Sequence, residues 1–169
     1  MTKKPKLLEA GHTDEIYTPA YALKPLLPFI PKGTHYVWEP CWGQGHMAKH
    51  LRDAGFTVVG EPWENFLTDI KYSPSIIITN PPYSNKDDFI ARAYELEIPF
   101  AFLLPLTALE GQRRGKLYRE HGIQLIIPNR RVNFITPNGG TSSWFQTAWF
   151  THGLNLDKDL NFVEMERGE

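Results

Sequence analysis

The sequence contains a single cysteine, Cys41, so no disulfide can form within the chain. It also lacks any apolar run near the roughly 20 residues that a membrane-spanning helix needs. The basic start, residues 1–6, is not followed by an apolar stretch, so we expect no secretory signal. These absences predict a soluble protein in a reducing, cytoplasmic compartment that does not contact a membrane.

The chain also lacks an excess of charge of either sign, since its formal net charge is -1. A balanced total neither requires nor excludes a nucleic-acid partner, because local charged patches decide such binding. The 169 residues, 41% of them hydrophobic, are enough to fold around one core. We therefore expect a single domain over residues 1–169, with peripheral polar segments at 1–15 and 153–169.

Short apolar strands alternate with helical segments along the chain. Strands are expected at 36–39, 56–60, 76–79, 100–104, 123–127 and 143–151, and helices at 46–54, 86–97 and 108–121. A short helix with a kinked continuation is expected over 20–30, where Pro25 and Pro28 interrupt the helical spacing. This order predicts an α/β, Rossmann-like fold whose sheet is mostly parallel and closes on an antiparallel final hairpin.

The most informative stretch runs from Ile76 to Tyr83 and joins a β-branched apolar run to two prolines. The run predicts a buried strand, and Pro81 and Pro82 end it because proline cannot donate to a sheet ladder. Asn80 would then lie at the carboxyl end of a buried strand, where open α/β sheets bind their ligands. Taken without its neighbours, the same stretch can also be a simple stop between strand and turn.

A glycine-containing loop at residues 39–45 follows the first predicted strand. Gly43 and Gly45 permit a tight turn and a close approach to a ligand, and the amides that begin the next helix suit a carboxylate or phosphate. Glu61 ends the second strand, where an acidic side chain can bind ribose hydroxyls. The loop lacks the third glycine of the dinucleotide fingerprint, so an ordinary turn and a solvated Glu61 remain alternatives.

Together, Glu39-Pro40-x-x-Gly43-x-Gly45, Glu61 and Asn80-Pro81-Pro82-Tyr83 resemble the amino-methyltransferases that use S-adenosylmethionine. The resemblance is closest to the small, phage-type adenine-N6 DNA methyltransferases and covers residues 17–150. It implies a class I methyltransferase fold, S-adenosylmethionine as the cofactor, and DNA rather than RNA as the partner. For a phage-encoded enzyme it implies the cytoplasm of the host cell.

The resemblance also implies how the motif acts on an exocyclic amine, whose lone pair is delocalised into the base. The side-chain oxygen of Asn80 and the carbonyl of Pro81 would accept the two amine hydrogens and so localise that lone pair. Pro82 would keep the turn rigid, so that little reorganisation is needed as charge develops. Tyr83, which we expect to be exposed, would stack on the flipped base.

Several further cofactor contacts follow from the resemblance alone. The methionine end would lie among Tyr17, Thr18, Glu39, Pro40, Cys41, Gly43 and Gly45. Glu61 would bind the ribose. Asn65 and Phe66 stand where many relatives have Asp-Phe, and the amide oxygen of Asn65 could accept from the cofactor's adenine.

Basic and aromatic residues are the candidates for substrate binding. Phe134, within the turn-rich segment 129–141, would pack on the extruded base, unless it is a core residue of a hairpin. The candidates for phosphate contacts are Lys86, Arg113, Arg114, Arg130 and Arg131. A charged helix face is often merely solvated, which is the alternative for Arg113 and Arg114. Sequence selectivity would depend on short loops such as segment 129–142 or on a partner, or it would be low, because we expect no large target-recognition domain in the chain.

Other chemistry has less support. His46 and His50 are four residues apart on a predicted helix but lack a third ligand in a known pattern, so no metal site is expected. Methylation of an RNA adenine or of a protein glutamine amide are alternative reactions, since the Asn-Pro-Pro-Tyr chemistry serves both. A catalytically silent binding partner with the same fold is a further alternative, against which the intact motif at 80–83 argues.

Overall fold

The computed structural model describes residues 15–69 and 72–167, and the elements below lie within those ranges. The polar segment expected at 1–15 falls, apart from Glu15, outside the described residues. The strands are β1 (Tyr36–Trp38), β2 (Thr57–Val59), β3 (Ile76–Thr79), β4 (Phe100–Pro105), β5 (Gln124–Pro128), β6 (Phe134–Ile135), β7 (Thr141–Ser142), β8 (Thr147–His152) and β9 (Leu160–Val163). The helices are α1 (His46–Asp53), α2 (Lys86–Glu95) and α3 (Gln112–His121).

Seven strands form one sheet in the order β2-β1-β3-β4-β8-β5-β9. The strand β8 runs antiparallel to both of its neighbours, β4 and β5, and the other pairs are parallel. The strands β6 and β7 form a separate antiparallel hairpin. The prediction of an α/β fold with a mostly parallel sheet is therefore confirmed. The antiparallel pairs of the sheet are those of β8, whereas the strand that follows it, β9, pairs in parallel with β5, so the sheet does not close on the antiparallel final hairpin that was expected.

Apolar layers cover both faces of the sheet because successive side chains of a strand point to opposite sides. In β3, Ile76 and Ile78 join one core cluster and Ile77 joins the other. Helix α1 packs on the first face through side chains that include Leu51, and α2 packs on the second through side chains that include Phe89. Helices on both faces explain why β3 is buried along its whole length.

Two predicted helices are shorter or absent. Helix α3 begins at Gln112 rather than near Ala108, because a 3-10 turn at Leu106–Leu109 precedes it and Gly111 has a positive φ of 118° that breaks the helix. Segment 20–30 forms two 3-10 turns, Ala20–Ala22 and Leu27–Phe29, instead of a helix. The prolines within that segment remove the backbone donors that a continuous helix would need.

The segment after residue 153, expected to be peripheral, contributes the edge strand β9. This strand pairs in parallel with β5, and the Asn161 side chain donates to the Leu125 carbonyl at 3.1 Å. Leu160 and Phe162 stay exposed, whereas Leu154 and Met165 of the same segment are buried in the core. Separate apolar residues, rather than one continuous apolar run, attach the segment, so it gives little signal in the sequence. Among the described residues, no helix is both long and apolar enough to cross a bilayer.

Candidate active site at the carboxyl edge of the sheet

A cavity of about 440 Å³ opens where β1 and β3 end. Glu39 follows β1 and Asn80 follows β3, so two motifs far apart in the sequence line the same space. The lining residues that the sequence predicted are Tyr17, Thr18, Glu39, Pro40, Cys41, Gly43, Asn65, Phe66, Asn80 and Pro82. Gly45, Glu61, Pro81 and Tyr83 do not belong to the wall, although each lies next to it in the chain.

Glu39 is buried at the mouth of the glycine loop with only 1% of its surface exposed. Its Oε1 accepts hydrogen bonds from the Cys41 amide at 2.7 Å and from the Thr79 hydroxyl at 2.5 Å. Its Oε2 is buried and has no partner among the described residues. Burial raises the pKa of Glu39 to about 8, although both hydrogen bonds act to lower it.

Glu64 is a second cavity carboxylate, and the sequence reasoning missed it. Its Oε2 accepts from the indole N–H of the fully buried Trp38 at 3.1 Å. Its Oε1 is buried and finds no partner in the part of the chain that the structure describes. Glu61 was predicted because it ends a strand, but the wall runs through Pro62 and Glu64. The available signal was a second acidic residue three positions after Glu61.

Asn80 places its amide on the rim of the same cavity. The side chain is half-buried, and its Oδ1 is inaccessible and unpartnered within the described ranges. Three residues that line one cavity, Glu39, Glu64 and Asn80, thus each have a buried acceptor oxygen without a donor among the described residues. No lysine or arginine of the described residues lines the wall, whereas Glu15 adds a third carboxylate. The site is therefore suited to a ligand that donates hydrogen bonds or carries positive charge.

The N-terminal element closes one side of the cavity through contacts with α1. The Tyr17 ring stacks on His46 with centroids 4.8 Å apart and planes 8° from parallel. His50 forms a hydrogen bond of 3.0 Å with the Thr18 carbonyl, and burial lowers the pKa of this histidine. Tyr17 also exchanges two backbone hydrogen bonds with Ile135 of the hairpin, at 2.8 and 2.9 Å. Tyr17 and Thr18 are thus held beside the glycine loop.

Two glycines set the path of the backbone around Glu39. Gly45 has a φ of 83° and immediately precedes α1, as a helix-starting loop requires. Gly60 has a φ of 137°, and a Cβ added there would lie 2.1 Å from the Glu39 carbonyl oxygen.

Burial also raises the pKa of the Cys41 thiol, so this residue stays protonated at neutral pH and is not an activated nucleophile.

Two aromatic side chains that were expected to contact the base, Tyr83 and Phe134, are buried. Tyr83 is only 4% exposed, so the prediction of an exposed ring is wrong. Its ring meets Phe145 edge to face at 5.4 Å and Phe134 at 6.5 Å. Phe134 is 2% exposed and lies in β6, as the hairpin-core alternative expected. The local sequence could not show this because the packing comes from a distant segment.

Among the predicted phosphate contacts, Arg114 is corrected most clearly. It is 9% exposed, pairs with Asp87 and donates to the carbonyls of Ala108 and Glu110. Arg113 is more exposed but forms an ion pair with Asp88 at 2.6 Å. These bonds attach α3 to α2 and leave Arg114 no free face for a phosphate.

Of the other residues predicted to contact phosphates, Lys86 supports a turn, whereas Arg130 and Arg131 lie on the surface. Lys86 donates to the Tyr83 carbonyl at 3.2 Å and so supports the turn after the motif. Arg130 and Arg131 are exposed, and one guanidinium nitrogen of Arg131 donates to the carbonyls of Ser143 and Trp144 at 3.3 and 3.4 Å. Trp144 is itself 42% exposed. Arg130, Arg131 and Trp144 form what we call the basic–aromatic surface.

No model of a known protein family and no curated protein matches the chain. The comparison with methyltransferases therefore depends on the motifs at 39–45 and 80–83 and on the geometry that brings them to one cavity.

Proposed function

We propose that this protein is a methyltransferase that uses S-adenosylmethionine to methylate the exocyclic N6 amine of adenine in DNA. The observation that carries the proposal is the set of three unpartnered acceptor oxygens, on Glu39, Glu64 and Asn80, around one cavity. Each buried acceptor without a donor costs about 1–3 kcal/mol. A ligand that supplies the missing donors offsets that cost, so the cavity is organised for such a ligand.

The charge of the cavity narrows the class of cofactor. Three carboxylates and no lysine or arginine among the described wall residues disfavour nucleotides that carry phosphates. S-adenosylmethionine instead carries a sulfonium, an ammonium group and ribose hydroxyls. Its carboxylate can meet the amides at the start of α1, where the glycine loop ends. In this arrangement Glu64 has the role that the sequence assigned to Glu61.

The motif after β3 supplies acceptors for the amine. When bound, S-adenosylmethionine supplies an electrophilic methyl group. The Oδ1 of Asn80 and the carbonyl of Pro81 accept the amine hydrogens, and the buried strand and two prolines keep these acceptors in place. The mostly parallel sheet, with antiparallel β8 between β4 and β5, supports the finer assignment to the class I methyltransferase fold.

The basic–aromatic surface supports a nucleic acid as the substrate. Trp144 precedes Phe145, whose ring packs on Tyr83 of the motif. The loop that holds Trp144 leads into β8, whose first residue pairs with the carboxyl end of β4. The surface therefore lies at the same edge of the sheet as Asn80. Exposed arginines suit phosphates and an exposed indole suits a base, which favours nucleic acid over a protein amide.

The test combines calorimetry with transfer of a tritiated methyl group. We expect S-adenosylmethionine to bind the purified protein and the label to enter adenine of DNA. Asn80→Ala should bind the cofactor but lose transfer, whereas Asn85→Ala, on the same wall beyond the motif, should keep most of it. Absence of both binding and transfer would overturn the proposal. If the label entered only RNA or protein, that molecule would be the substrate instead of DNA. Cofactor binding without transfer to any of them would indicate a catalytically silent binding partner.

A further inference from the structure

Glu39 is buried away from water, and only one of its two carboxyl oxygens has hydrogen-bond donors among the described residues. Its Oε1 accepts from Thr79 and Cys41, while its Oε2 is buried and has no donor among the described residues. The residue itself lines the cavity. The titratable groups that face it are the Cys41 thiol and the Glu64 carboxylate. Neither group carries positive charge, and no lysine or arginine of the described residues lines the cavity to neutralise an ionised Glu39. His46 also lines the cavity, where its ring stacks on Tyr17.

A buried carboxylate without a counter-charge holds a proton, because ionisation would leave an unpaired charge away from water. The direction of the pKa of Glu39, raised to about 8 mainly by burial, agrees with this geometry. In the cofactor-free protein, the carboxyl group of Glu39 is therefore protonated and neutral at neutral pH. The formal net charge of -1, in contrast, counts this residue as ionised.

We propose that Glu39 exchanges its proton for the positive charge of the cofactor when the cofactor binds. This inference rests on the proposed function, because it takes S-adenosylmethionine as the ligand. The O–H bond of the carboxyl group breaks, the proton passes to the buffer, and the carboxylate then faces a sulfonium or an ammonium group. No electrons are transferred, and no other reactant is needed.

The exchange makes cofactor affinity depend on pH in a defined direction. Below about pH 8 the cofactor competes with a proton, so its affinity should rise with pH by up to about tenfold per unit. Above that pH the affinity should level off, because Glu39 is already ionised. Glu39→Gln, which stays neutral and nearly isosteric, should bind the cofactor more weakly and without this dependence.

Calorimetry in buffers of different ionisation enthalpy measures the proton directly. At pH 7 we expect close to one proton to be released for each S-adenosylmethionine bound by the unaltered protein. Glu39→Gln should release none, whereas Glu64→Gln should keep most of the release while losing affinity. If Glu39→Gln fails to fold, the number of protons that the unaltered protein releases on binding S-adenosylmethionine still tests the exchange.

Two related ligands identify the charge that Glu39 recognises. S-adenosylhomocysteine keeps the ammonium group but has no sulfonium, and 5′-methylthioadenosine has neither charge. Release with S-adenosylmethionine alone assigns the sulfonium, and release with S-adenosylhomocysteine as well assigns the ammonium. The last ligand should release no proton.

The outcomes separate the two proposals. Binding of S-adenosylmethionine with no proton release, or release that persists in Glu39→Gln, overturns the exchange but leaves the proposed function standing. If none of the three ligands binds, both the exchange and the proposed function are overturned.

Discussion

Two groups of charged residues in this protein differ in whether their charges are matched. On α3, Arg114 and Arg113 pair with Asp87 and Asp88 of α2. In the cavity, the carboxylates of Glu39 and Glu64 each keep one buried oxygen without a partner in the described part of the chain. The paired side chains hold two helices together, whereas the two cavity side chains with an unpartnered oxygen are those to which the proposed function assigns a ligand.

The difference teaches that residue type alone does not mark a functional charge. The basic cluster on α3 is dense in the sequence and suggested phosphate binding, yet Arg114 is buried by its partners. Glu64 is not itself a position of any predicted motif, yet it lines the cavity. The four predictions below test this contrast, in order of decreasing effect.

The largest effect is expected at the unpaired acceptor of Asn80. Asn80→Ala removes an acceptor that is preorganised for the amine, so methyl transfer should fall about 100- to 1000-fold. Cofactor affinity should change little, because the proposed function assigns the cofactor to Glu39 and Glu64. Single-turnover rates and calorimetry separate the two quantities. A fall in affinity as large as the fall in rate would place Asn80 in the cofactor site instead.

On the paired side, Arg114→Ala should lower the free energy of unfolding by about 3 kcal/mol, because it leaves Asp87 and two carbonyls without their donor. Urea unfolding measures this change. Arg113→Ala is the matched control, since its ion pair with Asp88 is exposed and should contribute less than about 1 kcal/mol. Equal losses in the two variants would contradict the distinction between a structural arginine and a surface arginine.

Glu39→Gln should alter how stability depends on pH. The pKa of Glu39 is raised from 4.5 to about 8, so the folded protein binds the proton more tightly than the unfolded chain. The free energy of unfolding of the cofactor-free protein should therefore fall as pH rises from about 4.5 to about 8, by up to about 1.4 kcal/mol per unit. Glu39→Gln should remove this decline and melt higher at pH 8. An equal decline in the variant would assign it to another group.

The smallest effect is expected on the basic–aromatic surface. Trp144→Ala should weaken binding of a DNA oligonucleotide about tenfold, the scale of one lost base stack, while cofactor affinity stays unchanged. Trp144→Phe keeps an aromatic face and should preserve most of the affinity. Fluorescence anisotropy at fixed salt measures both variants. Equal weakening by both changes would mean that the indole acts through something other than stacking.

The sequence was sufficient where the signal is local. The strand Ile76–Thr79 and its stop at Pro81 were predicted as observed, because β-branched residues and prolines act on their own backbone. The cavity at the ends of β1 and β3 also followed, since parallel strands end at a common edge.

The remainder depended on contacts that no local pattern contains. Tyr83 is buried by Phe134 and Phe145, more than 50 residues away in the sequence. Arg114 is buried by Asp87 across the gap between two helices. Glu64, rather than Glu61, reaches the wall because the indole of Trp38 holds it there. In each case the partner is set by the tertiary fold.

The position of β8 has a consequence for how the protein is made. β4 and β5 both leave the ribosome before β8, yet β8 lies between them. Until β8 (Thr147–His152) is synthesised, β4 and β5 therefore each have an edge whose backbone hydrogen-bonding groups lack their final partner. Such edges invite pairing with other chains, and the synthesis of β8 removes both of them by completing the middle of the sheet.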